Sequence, residues 1–187
     1  MDPITQGALG AAAAQLKSPK HLIQAAIVGA LAGMAPDLDI LIRSANDPLL
    51  ALEFHRHFTH SLLFIPLGAL IFAGLFYLLL KRFLVLSFLN VFWWSLLGIA
   101  THGILDGCTS YGTQLFWPFS NARISFDIVS VVDPFFTFPL LALVIFSALK
   151  RSRRYAVIGL SWSCIYLFLG YVQRERAIIE GAELAVS

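Results

Sequence analysis

Glu53-Phe54-His55-Arg56-His57-Phe58-Thr59-His60-Ser61 runs straight into an apolar stretch, LLFIPLGALIFAGLFYLLL, over residues 62–80. Three of the five histidines in the 187-residue chain fall within six positions here. The apolar stretch that follows has the length and composition of a membrane span. Imidazoles at the mouth of a membrane helix are costly without partners. One reading makes His55 and His60 metal ligands, with Arg56 between them as a binder of phosphate or carboxylate. The competing reading is an interfacial basic cluster against lipid headgroups.

The whole composition agrees with a membrane setting. The chain is 58% hydrophobic and 13% charged, with a mean hydropathy of +0.78, which fits a polytopic membrane protein. A formal charge of +2 is too small to argue for a nucleic-acid partner. Cys108 and Cys164 form no CxxC pair, so neither a thiolate metal site nor a disulfide framework is expected. The first residues lack a basic n-region, and no cleavable signal peptide is expected.

Outward from the histidines, the pattern predicts helices throughout. Residues 4–16 are apolar and rich in Ala and Gly, with Asp2-Pro3 as a helix start. At ~1.5 Å per residue this helix is too short to cross a ~30 Å hydrocarbon core. It is expected to be a partial span packed among neighbours, or re-entrant. Residues 21–34 continue as helix until Pro36, and the carboxylates Asp37 and Asp39 follow the break. Asp47-Pro48 predicts a turn, and residues 49–54 a short interfacial helix. Residues 62–80, 83–105, 134–149 and 155–172 read as spans. Residues 107–133 read as a long ordered loop, and 173–187 as a mixed-charge tail able to form helix. The expectation is one membrane-embedded domain over 1–187: an all-α polytopic bundle with about five full spans and a short N-terminal helix.

Counting turns sorts the polar residues. Lys17, Lys20, Lys81, Arg82, Lys150, Arg151, Arg153 and Arg154 fall on one face if each apolar segment crosses, eight of the 13 basic residues. The basic bias makes that face cytoplasmic. The same alternation sends Gln6, Asp37, Asp39, His55, His57, His60, His102, Asp106, Asp127 and Asp133 to the external face. Four residues separate His102 from Asp106, so they share a helix face, suited to one metal ion or to a plain His–Asp hydrogen bond. Asp37 and Asp39 are either turn residues or carboxylates that bind or bridge metals. Metal ions at such a site activate water and stabilise charge on a phosphoryl or carbonyl oxygen. Residues 109–114 offer donors for a pocket or for turn chemistry. Arg123 reads as an anion clamp and Asp127 and Asp133 as partners behind the ligands, or all three as solvated surface. Trp93, Trp94, Trp117 and Tyr111 read as packing and interfacial-belt residues.

Together these motifs resemble the YdjM-like family of membrane-bound metal-dependent hydrolases. The matching stretches are Met1-Asp2-Pro3-Ile4-Thr5-Gln6, Pro36-Asp37-Leu38-Asp39, His55 through Ser61, Thr101-His102-Gly103-Ile104-Leu105-Asp106, residues 111–119, and Val132-Asp133-Pro134. The family pattern is distantly similar to zinc-dependent phospholipases C. The resemblance implies metal residues at Asp37, His55, His60, His102 and Asp106, with Asp39 beside Asp37. Gln6 stands where many relatives carry histidine, and a neutral amide is the weaker ligand. His57 stands where glycine is usual and is not counted as a ligand.

The resulting expectation is a metal-dependent hydrolase of the cytoplasmic (inner) membrane, with its site on the external face. The substrate class is a lipid-linked phosphate ester, and the cofactor a divalent metal, zinc first. Asp37, Asp39, His55, His60, His102 and Asp106 hold metal, and Arg56 and Arg123 hold the anion. Two rivals stand beside it. A transporter or proton relay is disfavoured because residues 62–80 and 134–149 carry no charge. A non-catalytic metal- or lipid-binding scaffold would use the same ligands.

Overall fold

The protein is described by a computed structural model covering residues 1–44, 46–47, 49–83 and 87–186. Its helices are α1 (Pro3–Lys17), α2 (Leu22–Met34), α3 (Leu50–Phe54), α4 (Phe64–Leu80), α5 (Phe88–Gly107), α6 (Pro134–Leu149) and α7 (Arg154–Val186). Two 3-10 turns carry polar residues, Ala35–Leu41 after α2 and Phe58–His60 before α4. The predicted turn at Asp47-Pro48 extends beyond the described residues, as does the start predicted for the span at 83–105.

The short first helix is the centre of the bundle. Residues 5–15 of α1 are buried without interruption, against α2, α5, α6 and α7. Small side chains permit this. Gly10 of α1, Gly29 and Gly33 of α2, and Gly98 of α5 meet at one crossing. A Cβ on Gly10 would stand 2.4 Å from the Gly29 carbonyl oxygen and 3.2 Å from the Cα atoms of Gly33 and Gly98. Close backbone approach through small residues is how membrane helices gain van der Waals contact where lipid offers no hydrophobic contrast. Asp2 caps α1 by accepting from the Thr5 backbone N–H at 3.0 Å, and Pro3 opens its first turn.

Side-chain contacts fix the helix directions. Gln6 meets the end of α5 at His102 and Asp106, while Ser18, just after α1, meets Trp94 in the first half of α5. The two helices are therefore antiparallel. α6 runs parallel to α1, since Thr5 meets Thr137 and Gln15 meets Val144. α7 returns along α6, with the Tyr166 hydroxyl donating to Asp133 Oδ2 at 2.8 Å. His102 and Asp106 thus lie at the bundle end opposite Lys17, Lys81 and Lys150.

Leu22–Leu41, Phe88–Gly107 and Arg154–Leu184 are long and apolar enough to cross a membrane. α4 and α6 are apolar but shorter, at 17 and 16 residues. Exposed Leu67, Leu70, Ile71, Leu75, Phe135 and Phe138 on these two helices form an outward apolar surface suited to lipid. The span predicted to end at residue 172 instead continues as helix to Val186, because 173–186 hold good helix formers and no proline.

The long loop after α5 is tied down by its backbone. Thr113 and Ile124 pair across it, Gln114 N donates to the Arg56 carbonyl at 3.1 Å, and Leu62 N to the Leu115 carbonyl at 2.9 Å. These bonds bind the loop to the histidine-bearing turn.

Candidate metal centre

Three elements bring four side chains to one point. Asp37 comes from the 3-10 turn after α2, His60 from the turn before α4, and His102 and Asp106 from successive turns at the end of α5. One ligand atom from each lies within 4.8 Å of the others. His60 Nε2 stands 2.8 Å from His102 Nε2, 3.4 Å from Asp37 Oδ1 and 3.2 Å from Asp106 Oδ2. His102 Nε2 stands 3.4 Å from Asp37 Oδ1 and 3.6 Å from Asp106 Oδ2. Zinc–nitrogen and zinc–oxygen bonds of about 2.0–2.1 Å in a tetrahedron place ligand atoms roughly 3.3 Å apart. The observed spacings scatter around that figure.

The far side of each imidazole fixes which nitrogen faces inward. His102 Nδ1 lies against the carbonyl oxygen of Gly33, which can only accept. His60 Nδ1 lies 2.9 Å from Thr59 Oγ1 and 3.3 Å from Asp39 Oδ2. Metal-bound histidines commonly donate their outer N–H to an oxygen in this way, which leaves Nε2 with a lone pair. Two Nε2 lone pairs at 2.8 Å repel unless a cation, metal or proton, comes between them. Asp106 Oδ2 is fully buried and accepts no hydrogen bond. With Asp106 Oδ2 held only by ion pairs at 3.2 Å to His60 Nε2 and Arg56 Nε, the donor set fits a divalent cation. Without one, burial pushes the His60 imidazole down, but the carboxylates of Asp106, Asp37 and Asp39 outweigh it and raise it to about 10.

A second group adjoins the first. Asp37, Asp39 and His55 also offer ligand atoms within 4.8 Å of one another. His55 Nδ1 stands 2.9 Å from Asp39 Oδ1, and Asp39 Oδ2 accepts from Arg56 N and Thr59 Oγ1, each at 3.0 Å.

The surrounding residues divide clearly. Arg56 is 4% exposed; its Nη1 donates to Thr109 Oγ1 at 2.8 Å, its Nε stands 3.2 Å from Asp106 Oδ2, and its guanidinium lies over the Tyr111 ring. Arg123 is exposed and donates to the carbonyls of Glu53, His55 and Gly112 at 3.2–3.4 Å. Gln6 is wholly buried and donates from Nε2 to Asp106 Oδ1 at 2.9 Å, so it touches the centre through a ligand. The Met1 ammonium also meets Asp106 Oδ1. His57 turns away and packs among Phe54, Phe58 and Trp117.

Of the two readings open for Asp127 and Asp133, partners behind the ligands or solvated surface, the structure supports no partner role: neither meets the His/Asp groups among the described residues. Asp133 caps α6 through the Phe136 N–H at 3.1 Å and accepts from Tyr166. Asp127 is exposed beside a separate cavity against α7. A one-residue helix cap was indistinguishable in sequence from a ligand's partner. Thr59 and Gly33 were missed. A threonine beside a histidine was the only signal for the first, and a backbone carbonyl leaves none for the second.

Comparison with known proteins now places the chain. It matches the family described as YdjM inner membrane protein over residues 1–177. The chain belongs to the YdjM inner membrane protein family. Every residue of both groups lies inside the matched region. The chain is also 30% identical over 119 residues to the uncharacterized protein YfhP of Bacillus subtilis (strain 168). That alignment covers 63% of this chain and 35% of YfhP, so this YdjM-family chain matches only about a third of its relative's length. No solved structure matches the chain.

Proposed function

We propose that this chain is a metal-dependent hydrolase of the inner membrane, acting at the external face on a lipid-linked phosphate ester. The observation that carries the reading is the group Asp37, His60, His102 and Asp106, whose facing atoms take the spacings of a coordination polyhedron. A proton or a metal ion must stand between the two facing Nε2 atoms, and a metal ion engages all four donors of the group at once.

A divalent ion, zinc first by the His and Asp donor set, supplies Lewis acidity and lowers the pKa of water to near neutrality. The protein's own groups do the rest. Gly33 and Thr59 orient the two imidazoles. Arg56 offsets the charge of Asp106 and, with Tyr111 stacked on it, walls the site. Arg123 adds positive charge at the mouth and holds the backbone of His55. An arriving phosphate draws on both guanidiniums, in keeping with their bidentate geometry.

Support for a lipid substrate comes from an apolar groove of about 320 Å³ lined by Leu62, Leu63, Leu115, Phe116, Trp117 and Phe119. It begins two residues beyond His60 and opens where exposed Leu63 and Phe119 face outward. An acyl chain there would lie against residues 62–63, which directly follow the histidine-bearing turn. With α4 and α6 crossing a locally thinned bilayer, the bundle makes about five spans. The positive-inside bias then puts the metal group outside.

One observation favours a non-catalytic metal scaffold instead: four protein atoms can close a tetrahedron, as in structural sites. The test is turnover. Purified protein in detergent micelles is given phosphate-ester and carboxyl-ester lipids, with and without chelator. Chelator-sensitive release of a phosphate-ester product supports the hydrolase. Metal binding without turnover of any ester supports the scaffold.

A further inference from the structure

We infer that the centre holds two cations, the second on Asp37, Asp39 and His55, with Asp37 shared between them. This rests on the metal reading of the first group. Asp37 is the one residue common to both sets of ligand atoms. Its Oδ1 faces His60 and His102, and a carboxylate offers about four lone-pair sites over two oxygens, enough to bridge two ions.

Asp39 and His55 are held as ligands are held. Arg56 N and Thr59 Oγ1 occupy Asp39 Oδ2, which leaves Oδ1 facing His55 Nδ1 at 2.9 Å. That spacing suits neighbouring donors around one ion as well as a hydrogen bond. The His55 ring stands edge-on to Tyr111, and its carbonyl accepts from Arg123. Arg56 ties the two groups into one unit. It takes a left-handed backbone, φ 59°, sparsely used by residues other than glycine. Its N–H reaches Asp39 in the second group, while its guanidinium reaches Asp106 in the first. Such local backbone cost persists where surrounding contacts over-determine it.

The two positions differ in access. His60, His102 and Asp106 have side chains 0% exposed, whereas those of His55 and Asp37 are each 24% exposed. The first position has four protein ligands and is closed. The second has three and opens outward, leaving coordination free for a substrate oxygen. Three carboxylates do not neutralise two divalent cations, so the open position favours an anionic group. The closed set that suits a scaffold is thus paired with an open one that suits chemistry.

The test uses full-length protein in detergent, loaded with Mn²⁺ as probe. Bound ions are counted by elemental analysis, and their environment is read by electron paramagnetic resonance. The wild type is expected to bind about two ions per chain with an exchange-coupled spectrum, as expected for ions sharing a carboxylate. His55→Ala and, separately, Asp39→Asn are expected to bind about half as much, with the six-line signal of an isolated ion. His55 is part-exposed, and size exclusion confirms that its variant remains folded. A single uncoupled ion in the wild type, unchanged by His55→Ala, overturns the second position and leaves the first standing. No bound ion in the wild type overturns both.

Discussion

His60 is where proton and metal compete. Three carboxylates hold its imidazole protonated to about 10 in the ion-free protein, so an incoming ion displaces that proton across the neutral range. Titration calorimetry near pH 7, in buffers of differing ionisation enthalpy, should show release of about one proton, with apparent affinity falling about tenfold per pH unit on acidification. Affinity independent of pH between 6 and 8 (roughly, the range where ligand protonation governs binding) would remove His60 from the ligand set. The linkage has a second consequence for the ion-free fold. A raised folded pKa contributes stability that is full below the ordinary value of 6.5 and is lost as pH climbs through about 10. Thermal unfolding with chelator present should therefore show a falling midpoint on the alkaline side. His102→Ala removes one of the four donors of the proposed closed position, and metal affinity should drop by at least about 100-fold, beyond the 10–100-fold typical of outer-shell partners such as Thr59.

At the scale of elements, the site depends on how closely α1, α2 and α5 approach. The crossing at Gly10, Gly29, Gly33 and Gly98 sets the depth at which Gly33's carbonyl meets His102. Gly10→Val would drive a side chain into the Gly29 carbonyl and the α5 backbone. Overpacking of this kind costs about 1–3 kcal/mol or more. The expected result is a lower melting temperature in detergent together with weaker metal binding. Gly74, by contrast, has open space around its Cβ position, and Gly74→Ala should leave both properties unchanged. Equal behaviour of the two variants would show that the crossing does not set the site.

For the whole molecule, the question is which end faces outward. Lys17, Lys81 and Lys150 lie at one end, and the His/Asp groups at the other. In a background with Cys108 and Cys164 replaced, a single cysteine at Ser120 should react with an impermeant maleimide in intact cells. One at Arg151 should react only after permeabilisation. The reverse pattern would place the centre in the cytoplasm and end the external assignment, while leaving the metal chemistry intact. The protruding end of α7 should label with Ser120, since Gly170 packs on Ile128 in the loop above the site.

Sequence alone determined the class of this protein, because long apolar runs are set by the solvent they must meet. It also singled out the His- and Asp-bearing motifs, since imidazole and carboxylate beside a membrane helix carry a solvation cost visible in one dimension. The helix at 4–16 was legible as a helix but not as the hub, since its role depends on four glycines from three helices meeting at one crossing. The continuation of α7 past residue 172 was open, because a mixed-charge tail is equally compatible with helix and coil. Asp133 and Asp39 looked alike as acidic residues near a turn. Only the tertiary structure made one a helix cap and the other a neighbour of two histidines. Division of six residues into two groups joined at Asp37 was likewise decided in three dimensions. Ligand spacing of a few ångströms is imposed by packing between segments far apart along the chain, and no local pattern encodes it.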